Sequence, residues 1–258
     1  MKIKNVVKVM NFHSLLKVDK ARRTAEKYFS YERELTEFAD NILNNRNLLL
    51  DKKVLSLNRM KKPLNIYIGN DMGFCGNLNS SVKKAERDNK CQKIIIGKKV
   101  KSNDPSIILQ INKDEYANYT GQIEEILYDT IVNKNNSEIN LIYNHYYNVG
   151  QIELIKKKIL PLDNLKTTKT HKEDFTIEGD INEILTNVIV LYLSYEIKVA
   201  IENTYASENI TRQMLTQESL KKLDEIEIEE QRKEKKAIKQ KSFKKVIDNF
   251  IKLKNIEE

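Results

Sequence analysis

The chain has 258 residues, 32% of them charged and 40% hydrophobic, with a formal net charge of +8, two cysteines and no tryptophan. That is room for one or two ordinary domains, but the apolar share is thin for a single large globule. Two cysteines, Cys75 and Cys91, do not make a disulfide framework or a zinc site; no apolar run approaches the roughly 20 residues of a membrane span, and the charged N-terminus is not a signal peptide.

All ten glycines and prolines lie between Pro63 and Gly179. At average usage the flanking stretches would hold about 17 of them. These residues break helices, so long uninterrupted helices are expected at both ends, around a compact middle.

In the first helix, a seven-residue ladder runs through Val7, Ser14, Ala21, Tyr28, Leu35, Ile42 and Leu49. Met10, Tyr31 and Phe38 form a companion stripe three residues on. Strict seven-spacing implies a supercoiled partner helix. The expected boundaries are 1–62 for this helix, 63–163 for an α/β head, 164–179 for a linker with a polar stretch over 164–174, and 180–258 for a second helix.

Within the head, strands are expected over 64–69, 93–97, 107–111, 139–146 and 151–159, and helices over 78–88 and 115–132. Strand–helix–strand order predicts a parallel or mixed sheet. Asp180 is the expected N-cap of the last helix. Its ladder runs Leu185, Tyr192, Val199, Ala206, Gln213 and Leu220, with Ile181, Val188 and Tyr195 as companion rungs. The seam lapses over 229–236 and resumes through Ala237, Phe243, Val246, Ile247 and Phe250.

Charge is concentrated at the ends: +6 over residues 1–25 and +8 over 231–254, against −6 elsewhere. If the helices run antiparallel, the termini meet in one basic tip, with residues near 10 and 245 adjacent. Such a tip needs an acidic partner.

The turn 70–79 follows a strand and opens a helix, as a phosphate loop would. Yet Gly69, Gly73 and Gly76 lack the dinucleotide spacing, and no Lys-Ser/Thr follows. His13, His145 and His171 are scattered, and no metal cluster or acid–base pair is visible. An enzyme active site is therefore not expected, and no cofactor is assigned to the chain. A basic coiled coil that binds nucleic acid is the remoter alternative, but it lacks a recognition helix.

The same turn carries a resemblance. Asp71, Gly73, Cys75, Gly76 and Asn79 match the Asp-Arg-Gly-Leu-Cys-Gly-x-x-Asn signature of the gamma subunit of rotary F-type ATPases. Lys8-Val9-Met10 and Ala21-Arg22-Arg23 are similar to the family's first helix, and Ala206-Ser207-Glu208 with Arg212 to its last. Ile94–Lys99, Leu141–Asn144 and Ile159–Leu162 fit intervening strands, so the resemblance spans the chain.

It implies a gamma-like fold: an α/β, Rossmann-like head plus an antiparallel two-helix coiled coil. The implied role is a non-catalytic central shaft inside a hexameric ring of alpha-like and beta-like ATPase subunits. ATP, ADP and Mg would be bound by those partners, and an epsilon-like or other stalk subunit would join the head. The complex would sit on the cytoplasmic side of the membrane, so this chain's own membrane association would be indirect, and no nucleic acid is implied. Lys8, Met10, Arg22, Arg23, Arg212, Lys233, Lys235, Lys236 and Lys239 are the expected ring contacts.

The chain departs from the family at Met72, where Arg is usual, and at Ile238-Lys239, where an Arg-Gln pair is usual. Phe250, Ile251 and Leu253 replace a small-residue tip. These departures suit an ATP-hydrolysing motor, of the kind tied to gliding motility in mollicutes, with a proton-translocating synthase as the alternative.

Overall fold

The computed structural model describes residues 2–44, 57–87, 91–161 and 178–254. Leu49, His171 and the expected linker at 164–174 lie outside them. The chain divides into two compact units. The larger comprises residues 13–212, the smaller residues 1–12 together with 213–258.

Elements follow in the order α1 (Lys2–Asn44), β1 (Leu64–Ile68), α2 (Leu78–Arg87), β2 (Gln92–Ile96), β3 (Ile107–Ile111), α3 (Tyr116–Val132), β4 (Ile139–Asn148), β5 (Gln151–Leu160) and α4 (Ile181–Lys254). The expected strands and helices of the head are all present, with shifts of one or two residues at their ends. The first helix is shorter than expected: residues 57–62 form a turn leading to Pro63, which cannot continue a helix. Asp180 caps α4 as expected, its side chain accepting from the Asn182 amide at 2.9 Å.

In the larger unit, five strands form one sheet in the order β3-β2-β1-β4-β5. β1 pairs in parallel with β2 and β4, and β2 with β3; β5 returns antiparallel to β4. The sheet is therefore mixed. β1 is buried along its whole length, as a central parallel strand covered on both faces should be.

On one face Leu64, Ile66, Ile68, Ile94, Ile96 and Leu141 share a core with Ile123 and Leu127 of α3 and with α4. On the other, Tyr67, Ile95 and Ile142 meet Val82 of α2. The layers are α2, sheet, then α3 with α4. Ala39 and Ile42 of α1 join the α4 layer. Tyr28 and Tyr31 reach Tyr195 of α4, with ring centroids 6.1 and 5.5 Å apart.

The seven-residue ladder of α1 is the inward stripe: Ser14, Ala21 and Ile42 are buried. Its companion is corrected. Val18 and Ala39 are buried, four residues after ladder positions, whereas Tyr31 and Phe38 are exposed. At 3.6 residues per turn a residue four along lies about 40° from the ladder and one three along about 60°, so the former sits nearer the seam.

α4 is also richer than its ladder. Leu185, Ile189, Leu193, Ile197 and Ala200 are buried together with Val188, Val190, Val199 and Ile201, so sheet and α1 cover it from several sides. The sequence reading that no stretch could span a membrane is corrected here. α4 contains an 18-residue window apolar enough to do so, but 67% of that window is buried within the protein, as in a core helix.

Two glycines mark where β1 and β2 leave the sheet. Gly97 has φ +130, and a Cβ there would lie 2.7 Å from the Gly69 carbonyl carbon and oxygen. Gly121, in α3, has open space around it. Gly97→Ala is expected to cost more than about 1 kcal/mol from backbone strain, while Gly121→Ala should stabilise α3 by up to about 1 kcal/mol. Urea unfolding of the two variants measures both.

Candidate functional site: a turn clasped to the last helix

The signature turn sits where β1 ends, and its polar groups are directed into the protein itself. The Asp71 carboxylate accepts from the backbone amides of Lys98 at 2.6 Å, Lys113 at 3.2 Å and Asp114 at 3.3 Å. It ties together the chain segments leaving β1, β2 and β3. In an open α/β sheet this rim of free amides is where an anionic ligand binds. Here a side chain of the chain's own fills it.

The turn closes through two left-handed residues, Phe74 (φ 57) and Gly76 (φ 56). A glycine meets this at little cost, a phenylalanine does not. Gly76 also approaches α4: its Cβ position is 3.5 Å from Thr211 Cγ2. Cys75 is buried beneath the turn, where its sulfur receives the Asn79 amide at 3.3 Å. The Asn79 oxygen accepts from the Asn70 backbone at 3.0 Å. Burial pushes the Cys75 thiol above its ordinary pKa, only partly offset by Asn70, so it is a packing group and not a thiolate nucleophile.

Arg212 of α4 reaches the turn. Its guanidinium donates to the Gly73 carbonyl at 3.1 Å, to Asn209 Oδ1 at 3.0 Å and to the Glu208 carboxylate. Glu208 also accepts from Lys113 Nζ at 3.4 Å, and that ammonium lies 4.0 Å from the centre of the Tyr205 ring. One turn earlier, Ser207 donates to the Asn144 carbonyl of β4 at 3.1 Å. Ala206 is buried beside them. The two signatures, far apart in sequence, thus form one cluster: Asp71, Gly73, Cys75, Gly76 and Asn79 on the turn, Ala206, Ser207, Glu208 and Arg212 on α4. Among the expected ring contacts Arg212 is the exception. It is 7% exposed and engaged by its own chain.

The other expected contacts lie on helix surfaces. Lys8, Arg22 and Arg23 are exposed and Met10 is half-buried. Arg22 sits 5.9 Å over the Tyr146 ring. Lys233, Lys235, Lys236 and Lys239 are exposed on α4, with Lys233 paired to Glu229 one turn back.

In the smaller unit the helices pair antiparallel. Lys4 binds Asp224 and Glu227, each at 2.6 Å, and these two carboxylates push its pKa up to about 12. Asn11 donates to the Gln213 carbonyl at 2.9 Å and to Thr216 at 3.1 Å. This register corrects the expected tip. Residue 10 lies near residues 213–217, so residue 245 is roughly 45 Å further along α4 at 1.5 Å per residue. The two basic ends do not coincide. Beyond Glu227, α4 continues alone among the described residues, and positions 229–247 are all exposed. The seam expected to resume at Phe243, Val246 and Ile247 faces solvent. The side chains of Phe250, Ile251 and Leu253 lie outside the description.

Sequence reasoning missed a buried ion cluster on the α2 face. Lys93 is fully buried on β2, with Nζ bound to the Glu86 carboxylate at 2.9 Å, the Glu86 carbonyl at 2.7 Å and Asp104 at 2.7 Å. Burial pulls its pKa down, but the Asp104 and Glu86 hydrogen bonds outweigh this and the net shift is upward. Lys93 in turn, with Ser106, holds Asp104 well below the usual carboxylate range. The available signal was a lysine heading the run Ile94-Ile95-Ile96, at a position a two-sided strand buries. His145 stands between the Tyr143 and Tyr147 rings, and burial followed by Lys157 lowers its pKa. Among the described residues no group of His, Cys, Asp and Glu is arranged to hold a metal.

Long N- and C-terminal helices around a mixed α/β sheet are the architecture of stalk subunits, which are non-catalytic members of their complex. The chain belongs to the ATP synthase family, whose model matches residues 1–242, and within it to the gamma subunits of the central stalk. The ATP synthase gamma chain of Clostridium perfringens is 28% identical over 248 residues, covering 87% of this chain and 84% of that one. The gamma chain of Mycoplasma mycoides subsp. mycoides SC is 25% identical over 229 residues, covering 81% and 79%. A central-stalk chain of the Tetrahymena thermophila mitochondrial ATP synthase has the same fold, with TM-score 0.58 at 18% identity, over 83% of this chain and 99% of that one.

Cysteines replacing Asn11 and Thr216 should cross-link within one chain, and cysteines at 10 and 245 should not; mobility on non-reducing gels distinguishes the pairs. The ion cluster makes a pH prediction. The Asp104 pKa is depressed on folding, so its contribution is present above about pH 4 and is lost as pH falls below that. The raised Lys93 pKa adds stability below about pH 10.4 that is lost as pH rises through the folded value. Lys93→Met should flatten the acid limb of stability against pH. It should also cost about 3–5 kcal/mol by leaving Glu86 buried and unpaired, and much of that should return in Lys93→Met/Glu86→Leu. Urea midpoints from pH 2 to 8 report both effects.

Proposed function

We propose that this chain is the shaft of a rotary complex, with its helix pair inside a hexameric ring of alpha-like and beta-like subunits. The observation that carries the proposal is the α4 segment past Glu227, exposed on every described side and rich in lysine. Its charge calls for an acidic lining. Exposed apolar residues of the smaller unit, among them Ile3, Val6, Val9 and Phe12, favour a sleeve that covers them as well. Lys8, Met10, Arg22, Arg23, Lys233, Lys235, Lys236 and Lys239 are the residues we assign to the ring.

Exposed ion pairs are individually weak and are screened by salt over about 10 Å. A rotor needs contacts of this kind, strong enough in sum to be pushed and weak enough singly to be released. ATP, ADP and Mg belong to the ring, and this chain binds no cofactor. An epsilon-like or other stalk subunit joins the head, and through it the chain associates indirectly with the cytoplasmic face of the membrane. A shaft of this build serves synthesis and hydrolysis alike, since direction is set by the ring's reaction against the load. The departures at Met72 and Ile238-Lys239 favour a motor run mainly by hydrolysis.

Replacing Lys233, Lys235, Lys236 and Lys239 by Glu in the assembled complex should lower coupled ATPase activity about tenfold, four reversed surface pairs at up to 1 kcal/mol each being partly compensated. The melting temperature of the chain should hold, because these residues are exposed on a stretch of α4 with no partner helix among the described residues. Undiminished rotation would remove the electrostatic role.

A further inference from the structure

We propose that α4 carries a torsional key, a set of polar contacts that locks the helix to the sheet against rotation about its own axis. The proposal rests on the shaft reading above. Rotation generated along a helix reaches a head domain only if the helix cannot turn inside it. An apolar interface resists this through interdigitated packing alone, since dispersion contacts themselves have no preferred direction. A hydrogen bond does have a direction, and a buried one has no water to replace it.

The key has four members, and each engages a different part of the sheet. The Glu196 carboxylate, 2% exposed at its side chain, receives Lys157 Nζ of β5 at 2.6 and 2.7 Å and the Tyr192 hydroxyl at 3.1 Å. Ser207 holds the Asn144 carbonyl of β4. Glu208 binds Lys113, just past β3. Arg212 holds the Gly73 carbonyl, just past β1.

At 3.6 residues per turn, Glu196 and Ser207 fall on nearly the same flank of α4, and Glu208 and Arg212 on a second flank roughly a third of a turn away. A roll in either sense therefore strains contacts on both flanks, and there is no direction in which the helix is free. The turn that Arg212 grips is itself held to the β2 and β3 ends by Asp71, so the load passes into the sheet. Glu196, Ser207 and Glu208 are positioning residues in this scheme, since no reacting group touches them.

The test uses the full chain assembled with its ring subunits, the ring fixed to glass. A bead is coupled to a cysteine placed at the exposed Val149 on the β4–β5 turn, since Cys75 and Cys91 are buried. The variant is Lys157→Met/Ser207→Ala/Glu208→Gln. With a small bead, ATP-driven speed and ATPase activity should stay within about twofold of the unaltered complex. With a large bead, the speed should fall by about fivefold or more, the scale of one lost hydrogen bond. A merely structural role would lower the melting temperature without separating the loaded from the unloaded speed. Equal loaded speeds would overturn the key. If the unaltered complex fails to turn its bead at all, it is the shaft reading that fails. If the triple variant does not assemble, Lys157→Met, at a half-exposed position, decides by the same ratio.

Discussion

The structure depends on one constraint: between Leu185 and Arg212, α4 must be both the core of an α/β unit and a member of a helix pair. A surface helix needs one apolar stripe, a helix covered on several sides needs more. That is why Leu185, Ile189, Leu193, Ile197 and Ala200 are buried alongside Val188, Val190, Val199 and Ile201. Burial at this scale stabilises strongly, at about 25 cal/mol per Å² of apolar surface removed from water. It sets the rotation of the helix only through which faces are apolar. The polar residues on the same stretch, Glu196, Ser207, Glu208 and Arg212, narrow that setting. Each needs one partner atom in one direction, and being buried, each would cost far more unpaired than it contributes paired.

Much of this was legible in the sequence because it is local. The distribution of glycine and proline marked the helical ends, alternation and apolar runs marked the strands, and Asp180 marked the start of α4. The seven-residue ladder in α1 marked its inward face. What escaped is what depends on two segments at once. The offset between α1 and α4 is set by Lys4 with Asp224 and Glu227, and by Asn11 with Thr216. A repeat of seven fits its partner equally well after a slip of seven, so periodicity alone could not reveal it. The companion stripe was misjudged for a related reason: Phe38 is more hydrophobic than Ala39, but only the small residue fits the packed side. Lys93 shows the same gap, since its partners stand 7 and 11 residues away on separate elements.

The signature residues of the turn and of α4 were read as a family mark, and their neighbourhood gives them a physical reason. Gly76 is where a backbone with positive φ passes Thr211, Gly73 offers its carbonyl to Arg212, and Asp71 needs the three amides that only strands ending side by side provide. Arg212, read as a contact for the ring, is occupied here. A long cation beside an acid four residues earlier on a helix looks the same in sequence whether it faces solvent or a carbonyl.

The sheet order shows what occupies the place where open α/β sheets ordinarily hold a ligand. In a sheet ordered β3-β2-β1-β4, the strand order reverses between the parallel neighbours β1 and β4, and the crevice past their carboxyl ends is where ligands ordinarily sit. β1 ends at Ile68, and Tyr67 pairs with Ile142, so Asn144 lies level with the residue at which β1 has just finished. α4 places Ser207 on the Asn144 carbonyl and Arg212 on the Gly73 carbonyl, at the two sides of that crevice. Asp71 takes up the neighbouring amides. A ligand there would have to displace a buried arginine, a carboxylate with three donors and the packing of α4 behind them. The crevice has become the socket of a helix, and the polar backbone groups that suit it to a phosphate suit it equally to holding that helix at a fixed angle.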